Sequence, residues 1–314
     1  MSKSPFVSVV MCSYNGIGLI EHAIRSILAQ TYADWELLIS DDGSSDGTRD
    51  YLARLDDPRI RVVLQPSNLG YVANKNVALV QAKGKLITQQ DQDDVSAPTR
   101  LAVQVEALAR TKLAIVGCGY RRIGLDGRQV AMVAPDRELV VIRPPTLAYP
   151  FWFPALMVRR EVYDKIGMFD PYFAGAFGDD QYWTVKANEQ FPILCLPDVL
   201  YDYRDSPGSI TSLAGSDRKL VMSEILGALL AQRQDRGSDD LQDGQRAELA
   251  KLEASFITDT TLVAEKLRIQ AARAIDQRRF DAVVPLLRRS WSLDRFNPAI
   301  IRTLIYFFRT RITG

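Results

Sequence analysis

Apolar and polar positions follow two alternating rhythms along the first 110 residues. Residues 6–13, FVSVVMCS, form one apolar, β-branched run, the pattern of a strand buried on both faces of a parallel sheet. Residues 17–30 then place Ile20, Ala23, Ile24, Ile27 and Leu28 on one helical face. WELLIS, IRVVLQ and KLITQQ repeat the strand pattern. Helical segments are predicted between them, from about Thr48 to Leu55 and across residues 70–82. Strands alternating with helices at this spacing predict an α/β fold, a mostly parallel sheet flanked by helices. Beyond residue 110 the rhythm changes. Residues 113–123 and 129–133 flank the turn LDGR and read as a hairpin. Residues 155–170 read as a strand, a short helix and a loop, and a further helix begins near Asp179. From about Ser216 only helical patterns remain, with a polar interruption near residues 233–245. The expected organisation is a catalytic-type α/β domain over residues 1–215 and a C-terminal helical region over 216–314.

Composition narrows the chemistry. The chain has 314 residues, 47% of them hydrophobic, with a formal net charge of +1. That is enough for one large domain and an appendage, and the bulk charge points to no nucleic acid. Cys12, Cys118 and Cys195 are scattered without paired spacing, which speaks against a zinc site or disulfide framework and fits a reducing cytosol. His22 is the only histidine, so chemistry must run on carboxylates, hydroxyls, Lys or Arg. The apolar run after Met1–Pro5 is too brief for a signal-peptide core, and no stretch reaches membrane-spanning length.

Ligands of parallel sheets bind beyond the carboxyl ends of the strands. Ser13-Tyr14-Asn15, Asp41-Asp42-Gly43 and Asp91-Gln92-Asp93-Asp94 all follow predicted strands and so converge on one edge. Asp91 and Asp93, one residue apart, can share a hard divalent cation completed by phosphate oxygens; an acidic solvated turn is the alternative. Asp42 can accept from a nucleobase N–H or a ribose hydroxyl. Ser45 or Asp46 suits a helix cap. Tyr14 can stack a planar base or simply pack. Asp179 and Asp180 open a helix, where they cap it or supply the general base that the scarcity of histidine demands.

Together VSVVMCSYNG, LISDDGSSDGT, NLGYVANKN, QQDQDDVSAP, GMFD…GAFGDDQYW and LYDYRDSPGSIT resemble, in order and spacing over residues 6–212, the family 2 glycosyltransferases. The resemblance implies the GT-A fold, a nucleotide-sugar donor and transfer with inversion. It implies that Ser13, Tyr14 and Asp42 hold the nucleoside, that Asp91 contacts ribose or metal, and that Asp93 is the main ligand of Mn²⁺ or Mg²⁺. Asp180 matches the catalytic base, and Asp179 replaces the glutamate before it. Lys75 stands where the family often has Arg. Tyr203-Arg204-Asp205-Ser206 departs from a Tyr-Arg-x-His pattern, so Arg204 is expected to take over part of the missing histidine's task at the diphosphate or metal. The implied activity is transfer of a sugar, from a UDP-sugar by preference, to a hydroxyl of a glycan or lipid-linked acceptor in cell-surface polysaccharide assembly. The rival is a non-catalytic nucleotide-sugar-binding or assembly subunit, which the absent histidine favours and Asp91, Asp93 and Asp180 disfavour. A nucleotidyltransferase ranks third, for lack of basic residues near the first strand. Phe151, Trp152 and Phe153 serve either sugar stacking or the core.

The balanced net charge conceals a basic end. Arginines recur from Arg268 to Arg311, interleaved with Trp291, Phe296, Ile300, Ile301, Leu304, Ile305, Phe307 and Phe308. Such a segment can lie on an anionic membrane surface, which implies a cytoplasmic protein at the inner face of the membrane. Packing on the catalytic domain or a homo-oligomer interface is the alternative.

Overall fold

The computed structural model describes residues 6–141, 149–206 and 215–313. Contacts divide the chain into two units, residues 1–175 with 179–208 and residues 176–178 with 209–314.

The first unit is built on a ten-stranded sheet. In chain order its elements are β1 (Val7–Ser13), α1 (Ile20–Leu28), β2 (Trp35–Asp41), α2 (Thr48–Leu52), β3 (Ile60–Leu64), α3 (Tyr71–Gln81), β4 (Leu86–Gln89), β5 (Val95–Ser96) and α4 (Arg100–Thr111). There follow β6 (Ile115–Ile123), β7 (Gln129–Val133), β8 (Leu139–Val141), β9 (Met157–Arg159), α5 (Arg160–Ile166), α6 (Asp179–Asn188) and β10 (Ile193–Arg204). The strand order is β3-β2-β1-β4-β9-β6-β10-β5, with β7 on β6 and β8 on β10. β3, β2, β1 and β4 are parallel, and β9 alone runs against β4 and β6 within the stretch to β10.

β1 is central because it is apolar on both faces. Val10 sits in register between Leu38 of β2 and Gln89 of β4. Helix α1 buries Ile20, Ala23, Ile24 and Ile27 completely; Leu28, predicted on that face, lies in its last turn and is exposed. The chain winds outward to β2 and β3 on one side of β1, and to β4 on the other. The crevice beyond β1 and β4 is therefore a topological switch point, where such sheets bind ligands. The predicted hairpin forms between β6 and β7. β10 carries no clean period-two pattern, because its register shifts between Leu196 and Val199 around Pro197-Asp198.

The second unit contains only helices among the described residues: α7 (Asp217–Leu220), α8 (Met222–Arg236), α9 (Arg246–Thr258), α10 (Thr260–Asp276), α11 (Phe280–Leu293) and α12 (Pro298–Thr313). The last three share a core that includes Ile275, Val283, Leu287, Ile300 and Phe307. No helix among the described residues is long and apolar enough to cross a membrane.

Candidate active site

Three loops leave the carboxyl ends of β1, β2 and β4 and bind one another. Asp42 donates its N–H to the Ser13 carbonyl at 2.7 Å. Asn15, at φ 47°, accepts from the Ser45 N–H and donates its own N–H to Ser44 Oγ, both at 2.8 Å; asparagine tolerates that left-handed geometry better than most residues. Gly47 is the N-cap of α2, and Asp46 before it accepts from the Thr48 N–H and hydroxyl. Gln92, between the two acids, grips the first loop: the Tyr14 N–H donates to its Oε1 at 3.0 Å and its Nε2 donates to the Tyr14 carbonyl at 3.1 Å. Gly16 leaves room for this, since a Cβ there would lie 2.2 Å from Gln92 Oε1. Tyr14 is thereby held while remaining 46% exposed as a residue. Ser13 Oγ is buried with no hydrogen-bond partner among the described residues.

A second chain of contacts runs from β2 to α6. Both oxygens of Asp42 accept backbone N–H bonds, from Leu69 at 2.7 Å and Gly70 at 3.0 Å, which fixes the start of α3. One turn into α3, Lys75 is 1% exposed. Its Nζ donates to Asp179 Oδ2 at 2.7 Å and lies 4.2 Å from the ring centres of Tyr71 and Phe169. Burial lowers the pKa of this ammonium, but Asp179 and Asp180 outweigh it and hold Lys75 above its ordinary value. Asp180 follows Asp179 at the start of α6 and is only half-buried. Burial and then Asp179 raise its pKa to about 6, against the lowering effect of Lys75.

The acidic loop after β4 is anchored from beneath. The Asp91 N–H donates to Tyr201 Oη at 3.2 Å, and the Arg204 N–H donates to Asp94 Oδ1 at 2.8 Å. Asp94 is wholly buried and its carboxyl is pushed well up, first by burial and then by Asp91 and Asp93. Asp91 and Asp93 remain half-buried. Burial first, and Asp93 second, raise Asp91 to about 7, with Asp180 and Asp179 adding to the rise and Lys75 opposing it. Burial also raises Asp93, while Ser206 and Arg204 oppose that rise. Cys12 borders the same group, and burial pushes its thiol up to about 12, far from a nucleophile's range.

Ser13, Tyr14, Asp42, Lys75, Asp91, Asp93, Asp180 and Arg204 all lie in the first unit. Arg204 is engaged in holding backbone: its Nε donates to the Asp93 carbonyl at 2.9 Å, and Nη1 to the carbonyls of Gly124 and Leu125. Sequence reasoning missed Gln92, Asp94 and Tyr201 as the residues that position the acids. It also missed the Lys75–Asp179 pair, which joins residues 104 positions apart. No local signal marks these, apart from the third carboxylate of the acidic run. Residues 207–211 of the last motif lie outside the described residues. Of the aromatic trio, Phe151 and Phe153 are buried; Trp152 is half-buried against Tyr120 and Tyr203, with ring centres 5.5 Å and 4.2 Å away.

The donor set fits a hard divalent cation. Asp91 and Asp93 offer hard carboxylate oxygens and are half-buried, and after burial it is Asp93, with Asp180 and Asp179, that raises Asp91 against Lys75. Among the described residues, no group of three or more His, Cys, Asp or Glu is gathered as a cage. Mg²⁺ and Mn²⁺ sites beside nucleotides need only one or two carboxylates, with phosphate and water completing the shell.

The chain is similar to known proteins in sequence and in fold. The chain is 33% identical over 170 residues to UDP-Glc:alpha-D-GlcNAc-diphosphoundecaprenol beta-1,3-glucosyltransferase WfgD of Escherichia coli, covering 50% of this chain and 66% of WfgD. It is 31% identical over 214 residues to EpsE of Bacillus subtilis (strain 168), covering 65% of this chain and 75% of EpsE. The fold is similar to that of S. aureus TarS 1-349 in complex with UDP-GlcNAc, with a TM-score of 0.57 at 19% identity over 97% of this chain and 81% of that one. It is also similar to mannosyltransferase PcManGT from Pyrobaculum calidifontis in complex with GDP-Man and Mn²⁺, with a TM-score of 0.56 at 18% identity over 99% of this chain and 87% of that one. Glycosyl transferase family 2 matches residues 8–167, which carry the loops after β1, β2 and β4 together with Lys75, and the chain belongs to that family.

Proposed function

We propose that this chain is an inverting glycosyltransferase that moves a sugar from a UDP-sugar to a hydroxyl of a lipid-linked glycan acceptor in cell-surface polysaccharide assembly, using Mn²⁺ or Mg²⁺. The observation that carries the reading is the buried Lys75–Asp179 pair at 2.7 Å, which sets Asp180 beside the acidic loop at the switch point of the sheet. The family, and the acceptor named for WfgD, support the substrate class; the UDP-GlcNAc held by TarS supports the donor.

Each residue then has a task. Tyr14 stacks the base, and Ser13 Oγ supplies a buried hydroxyl to the nucleoside. Asp42 keeps acceptor capacity beyond its two backbone bonds. Asp93, with Asp91, holds the cation. A cation held there would supply neutralisation of the charge developing on the departing diphosphate. Lys75 keeps the Asp179–Asp180 pair from repelling the donor phosphates. Arg204 holds the acidic loop in place through the Asp93 carbonyl. Asp180 accepts the proton of the acceptor hydroxyl as its oxygen attacks the anomeric carbon from the face opposite the diphosphate, so the configuration inverts. The protein works in the cytoplasm, at the inner face of the membrane that carries the acceptor.

The experiment is calorimetry of UDP binding with and without Mn²⁺, run on the wild type and Asp93→Ala. Affinity that rises with Mn²⁺ in the wild type alone supports the metal assignment. Equal Mn²⁺ dependence in both proteins removes it.

A further inference from the structure

The helix α12 presents two faces of different character. Ile300, Thr303 and Phe307 are buried, Ile300 and Phe307 within the core shared with α10 and α11. Ile301, Leu304, Ile305 and Phe308 are 46%, 36%, 48% and 53% exposed. Their spacing of i, i+3, i+4 and i+7 makes them one continuous stripe, in a helix that already has its core contacts. Just before the helix, Phe296 is 96% exposed. Hydrophobic residues scattered singly over a surface need no explanation, but a contiguous stripe marks an interaction site.

Charge identifies the partner. Arg302 and Arg309, seven residues apart on α12, share one flank of the stripe, and both are exposed; so are Arg295 before it and Arg311 near its end. From Arg278 onward the acids are Asp281 and Asp294 alone. Protein interfaces also enrich arginine, but α12 carries no acid at all, so the charge along its flank is of one sign. An apolar stripe bordered by arginines suits an interface where acyl chains lie beside anionic headgroups. Arginine stems reach along the apolar surface while their guanidinium groups stay at headgroup level.

We infer that the outer stripe of α12, with Phe296 and the flanking arginines, is a docking surface for an anionic lipid bilayer, on which the helix lies without crossing. This rests on the proposal of a membrane-borne acceptor and names the surface that meets that membrane. It also corrects the sequence reading, since Ile300 and Phe307 belong to the helical core rather than to the lipid-facing side.

The test is co-sedimentation of the full-length protein with vesicles of phosphatidylcholine alone, or of phosphatidylcholine with phosphatidylglycerol. Two variants are compared: Ile305→Ser/Phe308→Ser removes apolar anchors, and Arg302→Glu/Arg309→Glu reverses flank charge. Both change exposed residues, and circular dichroism melts check their folding. Expected are binding to the anionic vesicles, weakening as salt rises, and at least a tenfold loss of partitioning in each variant. UDP-sugar turnover in detergent should stay unchanged, so failure of docking and failure of catalysis read out separately. Full-length protein that remains in the supernatant at low salt overturns the inference, as does binding that neither variant weakens. Equal binding to neutral vesicles removes the role of the arginines. A concentration-dependent dimer that Ile305→Ser/Phe308→Ser dissociates, without vesicle binding, assigns the stripe to a second copy of the chain.

Discussion

At the scale of single residues, the site depends on which carboxyls are charged at working pH. Asp180 stands at about 6 because burial and Asp179 outweigh Lys75. A general base must be ionised to accept a proton, so at saturating Mn²⁺, which keeps Asp91 ionised, kcat/KM should fall about tenfold per pH unit below about pH 6 and level off above it. A flat profile between pH 5 and 8 would move the base elsewhere, Asp179 being next along the helix. Asp180→Asn keeps the shape and loses the basicity; turnover should drop on the order of 10²–10⁴-fold while calorimetry finds UDP affinity intact. Asp93 stood out as a candidate ligand from its spacing to Asp91 together with its place at a strand end and the family resemblance. Its neighbour Asp94 looks equivalent on paper, yet it is wholly buried and turned to the Arg204 N–H. Nothing in a run of acids tells which one turns to the backbone, because that depends on the antiparallel approach of β5 to β10.

At the scale of elements, the parallel strands were legible because strands buried on both faces must be apolar throughout. β10 was not, since Pro197-Asp198 interrupts its pattern, and neither was its role of supplying Tyr201 and Arg204 to the acidic loop. Long-range pairings carry no local signature either. Lys75 on α3 and Asp179 on α6 meet only because Asp42 sets the start of α3 and Phe169 packs over the ammonium. Lys75→Met leaves two acids near each other without their cation and should cost about 3–5 kcal/mol in urea unfolding. Adding Asp179→Asn should restore much of that loss. Equal instability in the double variant would mean that Lys75 matters through packing alone. Gln92 ties the acidic loop to the nucleoside loop by two hydrogen bonds to Tyr14. Gln92→Ala should raise the donor KM about fivefold, as expected for one or two modest bonds, and leave kcat nearly unchanged. A fall in kcat with KM constant would place Gln92 at the reacting centre instead.

At the scale of the whole molecule, the raised acids link stability to pH. Asp91 at about 7 and Asp180 at about 6 both stand above the ordinary 3.8. Between about pH 4 and 7 the folded chain therefore retains protons that the unfolded chain has released, and stability falls as pH rises through that window. The melting temperature of the ligand-free protein should be higher at pH 6 than at pH 8. UDP with Mn²⁺ should raise it more at pH 8, since cation binding requires ionised carboxylates. A ligand-free protein more stable at pH 8 would mean that other groups dominate the linkage. The measurement that bears most directly on the account is proton NMR of the anomeric signal during turnover of α-linked UDP-sugars with Mn²⁺. It is followed in the wild type, Asp93→Ala and Asp180→Asn, with lipid-linked glycan acceptors present. The account predicts a β-linked product from the wild type alone. An α-linked product, or turnover that survives in both variants, would contradict it.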